Sequence, residues 1–102
     1  MMKSEAALDR LLLLLGHAIS LKVLWFFYRN PDTLDNITGI ADRIGYSHVS
    51  TGQTITELVK LGVLEERTIG RSRVISLNKA HNTTKVLFDF FKEFEKQESE
   101  NE

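Results

Sequence analysis

Two short amphipathic stretches, each closed by a glycine, stand next to each other over residues 37–62 and leave the chain few ways to fold. In the first, Ile37, Ile40, Ala41 and Ile44 recur at i, i+3, i+4 and i+7, the spacing that lays one apolar stripe along a helix. Gly45 follows, where a helix commonly ends in the left-handed region. In the second, Ser47 is placed to cap a helix, Thr51, Ile55, Leu58 and Val59 face inward, and Gly62 ends it. The tight turn between them is Gly45-Tyr46-Ser47, and the small Ala41 before it lets the second helix cross closely over the first. Then come two β-branched runs, Val63–Ile69 and Arg73–Leu77, around Gly70-Arg71-Ser72, which read as an antiparallel hairpin.

The flanks are helical too. Ser4 can cap a first helix with Leu8, Leu11, Leu12 and Leu15 on one face; Leu13 and Leu14 widen it, and Gly16 interrupts it. Ser20 can cap a second helix, Leu21 to about Arg29, made apolar nearly all round by Val23, Leu24, Trp25, Phe26 and Phe27. This is the expected central core helix, and Asn30-Pro31 ends it because the residue before proline is pushed out of helical space. A last helix, about 82–96, sets Leu87, Phe90, Phe91 and Phe94 at helical spacing. The expected class is mainly α with a small β-hairpin. At 102 residues one domain is expected over 1–97, with N-terminal helices at 4–29, a helix pair at 37–61, a ribbon at 63–77 and the last helix at 82–96. Residues 98–102 are expected to be a disordered acidic tail.

Several kinds of chemistry are disfavoured. There is no cysteine, which excludes disulfides and thiolate sites and suits the cytoplasm. His17, His48 and His81 stand far apart with no carboxylate cluster near them, so neither a metal nor another cofactor is expected. No glycine-rich phosphate loop and no Ser-His-Asp pattern is present, so the chain is not expected to be an enzyme. The leucine run 11–15 is too short to span a bilayer and is preceded by Glu5, Asp9 and Arg10, so no membrane partner is expected. The net charge of -1 hides its distribution: residues 47–79 sum to +2 and residues 93–102 to -4.

The segment ITGIADRIGYSHVSTGQTITELVKLGVLEERTIGRSRVISLN, residues 37–78, resembles the ArsR/MarR-type winged helix-turn-helix transcription regulators. The resemblance rests on Ile37-Thr38 opening a helix, Ala41, Gly45, Ser47, Ile55, Leu58, Gly62-Val63-Leu64, Gly70-Arg71 and a strand ending in Leu77. Residues 21–31 resemble the helix that precedes the motif in this family, and Thr51 departs from the usual aliphatic residue. The resemblance implies a winged helix-turn-helix with extra N- and C-terminal helices. It implies that the recognition helix, 47–61, enters the major groove of double-stranded DNA and that the wing, 67–73, meets phosphates or the minor groove. Thr38, Tyr46, Ser47, His48, Ser50, Gln53 and Thr56 would then face DNA from the helices, and Arg67, Arg71, Ser72 and Arg73 from the wing. Gln53 is the residue best suited to base reading, because an amide can bond an adenine edge twice; Ser47 and Ser50 suit phosphate.

One small domain can hardly bury both apolar flanking helices. Leu11, Leu12, Leu15, Leu87, Phe90, Phe91 and Phe94 are therefore the expected homodimer interface of a sequence-specific transcription regulator. The alternative is a winged-helix protein-interaction module that never touches DNA, a use that the acidic tail and low net charge suit. Three arginines near Gly70 suit phosphates better than an apolar partner.

Overall fold

The computed structural model describes residues 2–101, with side chains from residue 5. Its elements run α1 (Met2–Leu15), α2 (Ala18–Arg29), β1 (Asp35–Asn36), α3 (Ile37–Ile44), α4 (His48–Lys60), β2 (Leu64–Ile69), β3 (Ser72–Leu77) and α5 (Asn82–Glu100). As its all-round apolar sequence requires, α2 is the hub. Its Val23, Leu24 and Phe27 are sealed from solvent among Ile40 of α3, Ile55 and Leu58 of α4, and Ile75 of β3. Trp25 and Tyr28 lie over α5, with ring centroids 5.3 Å (Trp25) and 5.6 Å (Tyr28) from Phe91. The far end of α2 is tied to α5 through Glu95, which accepts from Arg29 at 2.8 Å and from the Tyr28 hydroxyl at 3.1 Å. Burial, reinforced by that carboxylate, raises the Tyr28 pKa above its ordinary value.

Three boundaries differ from expectation. Helix α2 starts at Ala18 with His17 extended before it, so Ser20 does not cap it. Ser20 is buried instead, and its hydroxyl donates to the His17 carbonyl at 2.9 Å; packing of Ile19 against the core draws the helix back toward Gly16. Likewise α1 begins at Met2, so Ser4 falls inside it, and the Ser4 side chain lies outside the described ones. Helix α5 continues to Glu100 rather than stopping near 96. Gln97, Glu98 and Glu100 are good helix formers and no Gly or Pro intervenes, so much of the expected acidic tail extends the helix.

The hairpin is present, and a strand joins it that was not anticipated. Asp35 pairs with Ile75 and Asn36 with Val74, giving an antiparallel sheet in the order β1-β3-β2. Ser72 belongs to β3, opposite Ile69, so the corner is Gly70-Arg71 alone. No single helix among the described residues is long and apolar enough to cross a membrane, and α1 and α2 are bent 76° apart at their break.

Two core positions carry stability predictions. Thr51 is fully buried and its hydroxyl has no hydrogen-bond partner among the described residues. Thr51→Val keeps the shape and removes the orphaned group, so it should stabilise the fold by about 1–2 kcal/mol. A thermal melt should rise by roughly 4–8 °C per kcal/mol; an unchanged or lower Tm would contradict this. Gly62 holds φ at +86°, and a Cβ there would lie 2.5 Å from His81 Nε2. That ring starts α5, its Nδ1 accepting from the Thr83 amide at 3.2 Å. Gly62→Ala therefore strains the backbone and displaces a cap, and should cost about 2–3 kcal/mol in denaturant unfolding. Gly45 has φ +79° with open space around it, so Gly45→Ala meets only the backbone penalty of about 1–2 kcal/mol.

Candidate nucleic-acid interface

The α3–turn–α4 unit is fixed by local hydrogen bonds at each joint. Asn36 opens α3 by accepting from the Gly39 amide at 2.8 Å. The Gly45 and Tyr46 amides both donate to the Ala41 carbonyl, at 2.9 and 3.2 Å, and Ala41 itself is fully buried where the helices cross. Ser47, extended, opens α4 by accepting from the Ser50 amide at 3.1 Å. With Thr51, Ile55 and Leu58 inward, helical geometry turns Val49, Gln53, Thr56 and Lys60 outward together.

Each expected helix residue has a place in this frame. Thr38 is exposed in the first turn of α3, Tyr46 is half-buried in the turn, Ser47 is exposed and Ser50 half-buried. His48 is exposed, and its Nε2 lies 2.9 Å from Asp42 Oδ1 across the turn. Gln53 is exposed where α4 borders the α1–α2 joint, beside a hollow it shares with Leu13, His17 and Ser20. Thr56 donates its hydroxyl to the Gly52 carbonyl at 2.9 Å, so that proton is already engaged. Gly52 lies against α3, where a Cβ would sit 3.5 Å from Ile37 Cγ2. Val49 was overlooked because apolar residues are first assigned to a core. It is 72% exposed, and its offset from the Thr51–Ile55–Leu58 stripe is the signal that could have placed it outside.

Strand alternation separates the ribbon's arginines. Glu66, Thr68, Arg73 and Ile75 share one face, while Arg67, Ile69, Ser72 and Val74 share the other. Arg73 reaches diagonally to Glu66, NH2 to Oε1 at 2.6 Å. Its hydrogen bond holds the Glu66 carboxyl below the usual range, and the same contact raises Arg73. Arg73 therefore has a carboxylate partner, whereas Arg67 and Arg71 make no ion pair among the described residues. Arg71 at the corner and Ser72 at the start of β3 are exposed, and Ile69 opposite Ser72 is 62% exposed.

The apolar flanks divide into an inner and an outer set. Leu87 and Phe91 are buried in the subunit's own core, Phe91 against Trp25 and Tyr28 of α2, and so are not available to a partner. Leu15 is half-buried and packs on the same core. Leu11, Leu12, Phe90 and Phe94 are exposed, joined by Leu8 and Leu21. Phe90 and Phe94 rim an apolar groove of about 500 Å³ that Ala18, Leu21, Lys22 and Trp25 close from α2. Among the described residues no three His, Cys, Asp or Glu side chains gather into a group that could hold a metal ion.

No family model and no curated protein matches the sequence. Solved structures do match the fold. The antimony-specific transcriptional repressor AntR shares 13% identity at a TM-score of 0.73, over 100% of this chain and 87% of its own. NolR from Sinorhizobium fredii shares 14% at 0.74, over 91% and 87% respectively. A homodimeric winged helix-turn-helix DNA-binding domain from Mycobacterium bovis, a possible ArsR-family transcriptional regulator, shares 17% at 0.68, over 98% and 91%. The fold is a winged helix-turn-helix, as residues 37–78 indicated.

Proposed function

We propose that this chain is a homodimeric transcription regulator that binds double-stranded DNA through α4 and the wing, with residues 1–97 acting as one winged-helix unit. The observation that carries the reading is a pairing of features: the solvent face of α4, small and mostly polar, and the ribbon that follows it, where Arg67 and Arg71 make no ion pair among the described residues. The stretch of that face before the exposed Glu57 is small enough to enter a major groove, and the wing arginines can neutralise phosphates. In this arrangement Thr38, Tyr46, Ser47 and Ser50 contact the phosphate backbone near the start of α4, where free amides and the helix dipole favour anions. Gln53 reads a base edge. His48, Thr56 and Ser72 contribute less, His48 because Asp42 holds it and Thr56 because its hydroxyl is engaged. Arg73 is secondary to Arg67 and Arg71 for the same reason.

The neighbouring folds support this reading, since one is a transcriptional repressor and another a homodimeric DNA-binding domain. Dimerisation through Leu11, Leu12, Phe90 and Phe94 is supported by their exposure, and two copies would present two recognition helices to a near-palindromic site. A second reading, a protein-interaction module, is favoured by two exposed apolar residues, Val49 on α4 and Ile69 on the ribbon. Titration of a fluorescent 30-base-pair duplex at low salt separates the two. Saturable binding supports the regulator; no binding at 25 mM salt favours the interaction module.

A further inference from the structure

We infer that Val49 is a specificity-determining residue that packs on the C5-methyl group of a thymine in the major groove, an inference that rests on the DNA-binding reading above. It sits in the first turn of α4, the part of a recognition helix that reaches base edges. At 72% exposure it has no role in the core, and it lies on a different helix from the apolar surfaces of α1 and α5. Its neighbours on the same face are polar: Gln53 one turn later, then Thr56 and Lys60. Valine is also a mediocre choice for a helix position that meets only water, where a longer polar residue has better propensity.

What valine offers is a stiff pair of methyl groups. In a helix its χ1 is almost confined to one rotamer, so little side-chain freedom is lost on contact. It cannot donate or accept a hydrogen bond, so of the features on the major-groove edges only the thymine methyl suits it. Burying one such methyl is worth about fourfold in affinity. Gln53 follows four residues later, about 6 Å along the helix axis, which corresponds to roughly two base steps. The two side chains therefore read neighbouring positions of one half-site, Val49 a thymine methyl and Gln53 an adenine edge.

The test selects duplexes from a library with a random 20-base-pair core, using the full chain and its V49S variant, and then measures affinities for the enriched duplex. The wild type should enrich a thymine at a fixed place in each half-site. Replacing that thymine by deoxyuridine, which removes only the methyl, should weaken wild-type binding about fourfold per half-site. V49S should lose the thymine preference, melt at the wild-type temperature and bind the two duplexes equally. Q53A should keep the deoxyuridine effect and lose its own preference within about two base pairs of it. A V49S variant that still distinguishes thymine from deoxyuridine overturns the inference alone. So does a wild type that enriches sites lacking any required thymine. If the wild type binds no duplex at all, the inference falls together with the DNA-binding reading.

Discussion

Raising salt from 50 to 200 mM should weaken duplex binding on the order of 100-fold, with a log–log slope of about -3.6. The slope follows from four phosphates neutralised per dimer, by Arg67 and Arg71 of each copy, each releasing its condensed counterion. The R67A/R71A pair should remove most of that slope and lower affinity at 50 mM by a similar order. R73A is the internal control. Arg73 is already held by Glu66 at 2.6 Å, so its loss should change the slope by less than about one unit. Fluorescence anisotropy across a salt series measures all three proteins. If R73A flattens the slope as much as R67A/R71A, the Glu66 contact does not withdraw Arg73 from DNA and the ranking of the wing arginines is wrong.

The second large effect concerns assembly. The wild type should sediment at twice the 11.7 kDa chain mass at micromolar concentration. Introducing charge on the exposed apolar flanks, as L12E with F94E, should give monomers that remain folded. Duplex affinity should then fall by roughly 100- to 10,000-fold, because two half-sites would no longer be bound by one linked pair. Leu87→Ala behaves differently. Leu87 is buried within the subunit, so its truncation should cost about 2–5 kcal/mol of stability without selectively changing assembly. Dimers that persist in L12E/F94E would place the interface elsewhere.

The parts legible in the sequence were those set by local chemistry. The stripe Ile37, Ile40, Ala41, Ile44, the Ser47 cap, the Gly45 and Gly62 stops and the β-branched ribbon all reappear at their expected places. The features that escaped depend on contacts distant in sequence or on which face an element turns inward. Strand β1 has two residues and no periodicity of its own; it exists because β3 offers an edge. The pairs Arg73–Glu66 and His48–Asp42 arise from a diagonal across the ribbon and from a helix crossing, neither of which has a sequence spacing to announce it. Leu87 and Phe91 share helical spacing with Phe90 and Phe94, yet the first two are buried and the others are exposed. That division follows from how α5 is rotated against the aromatic cluster of α2, and spacing alone leaves the rotation open. Val49 was hidden by the same ambiguity, in which an apolar residue beside a core stripe is read as part of it.

The most direct check is amide chemical-shift mapping of the ¹⁵N-labelled protein against a duplex bearing its enriched site. Binding should perturb the amides from Ser47 to Lys60 together with those of Gly70 and Arg71, while the interior of α5 stays unmoved. Perturbations confined to α1 and α5, with the α4 face and the wing silent at saturating duplex, would contradict it.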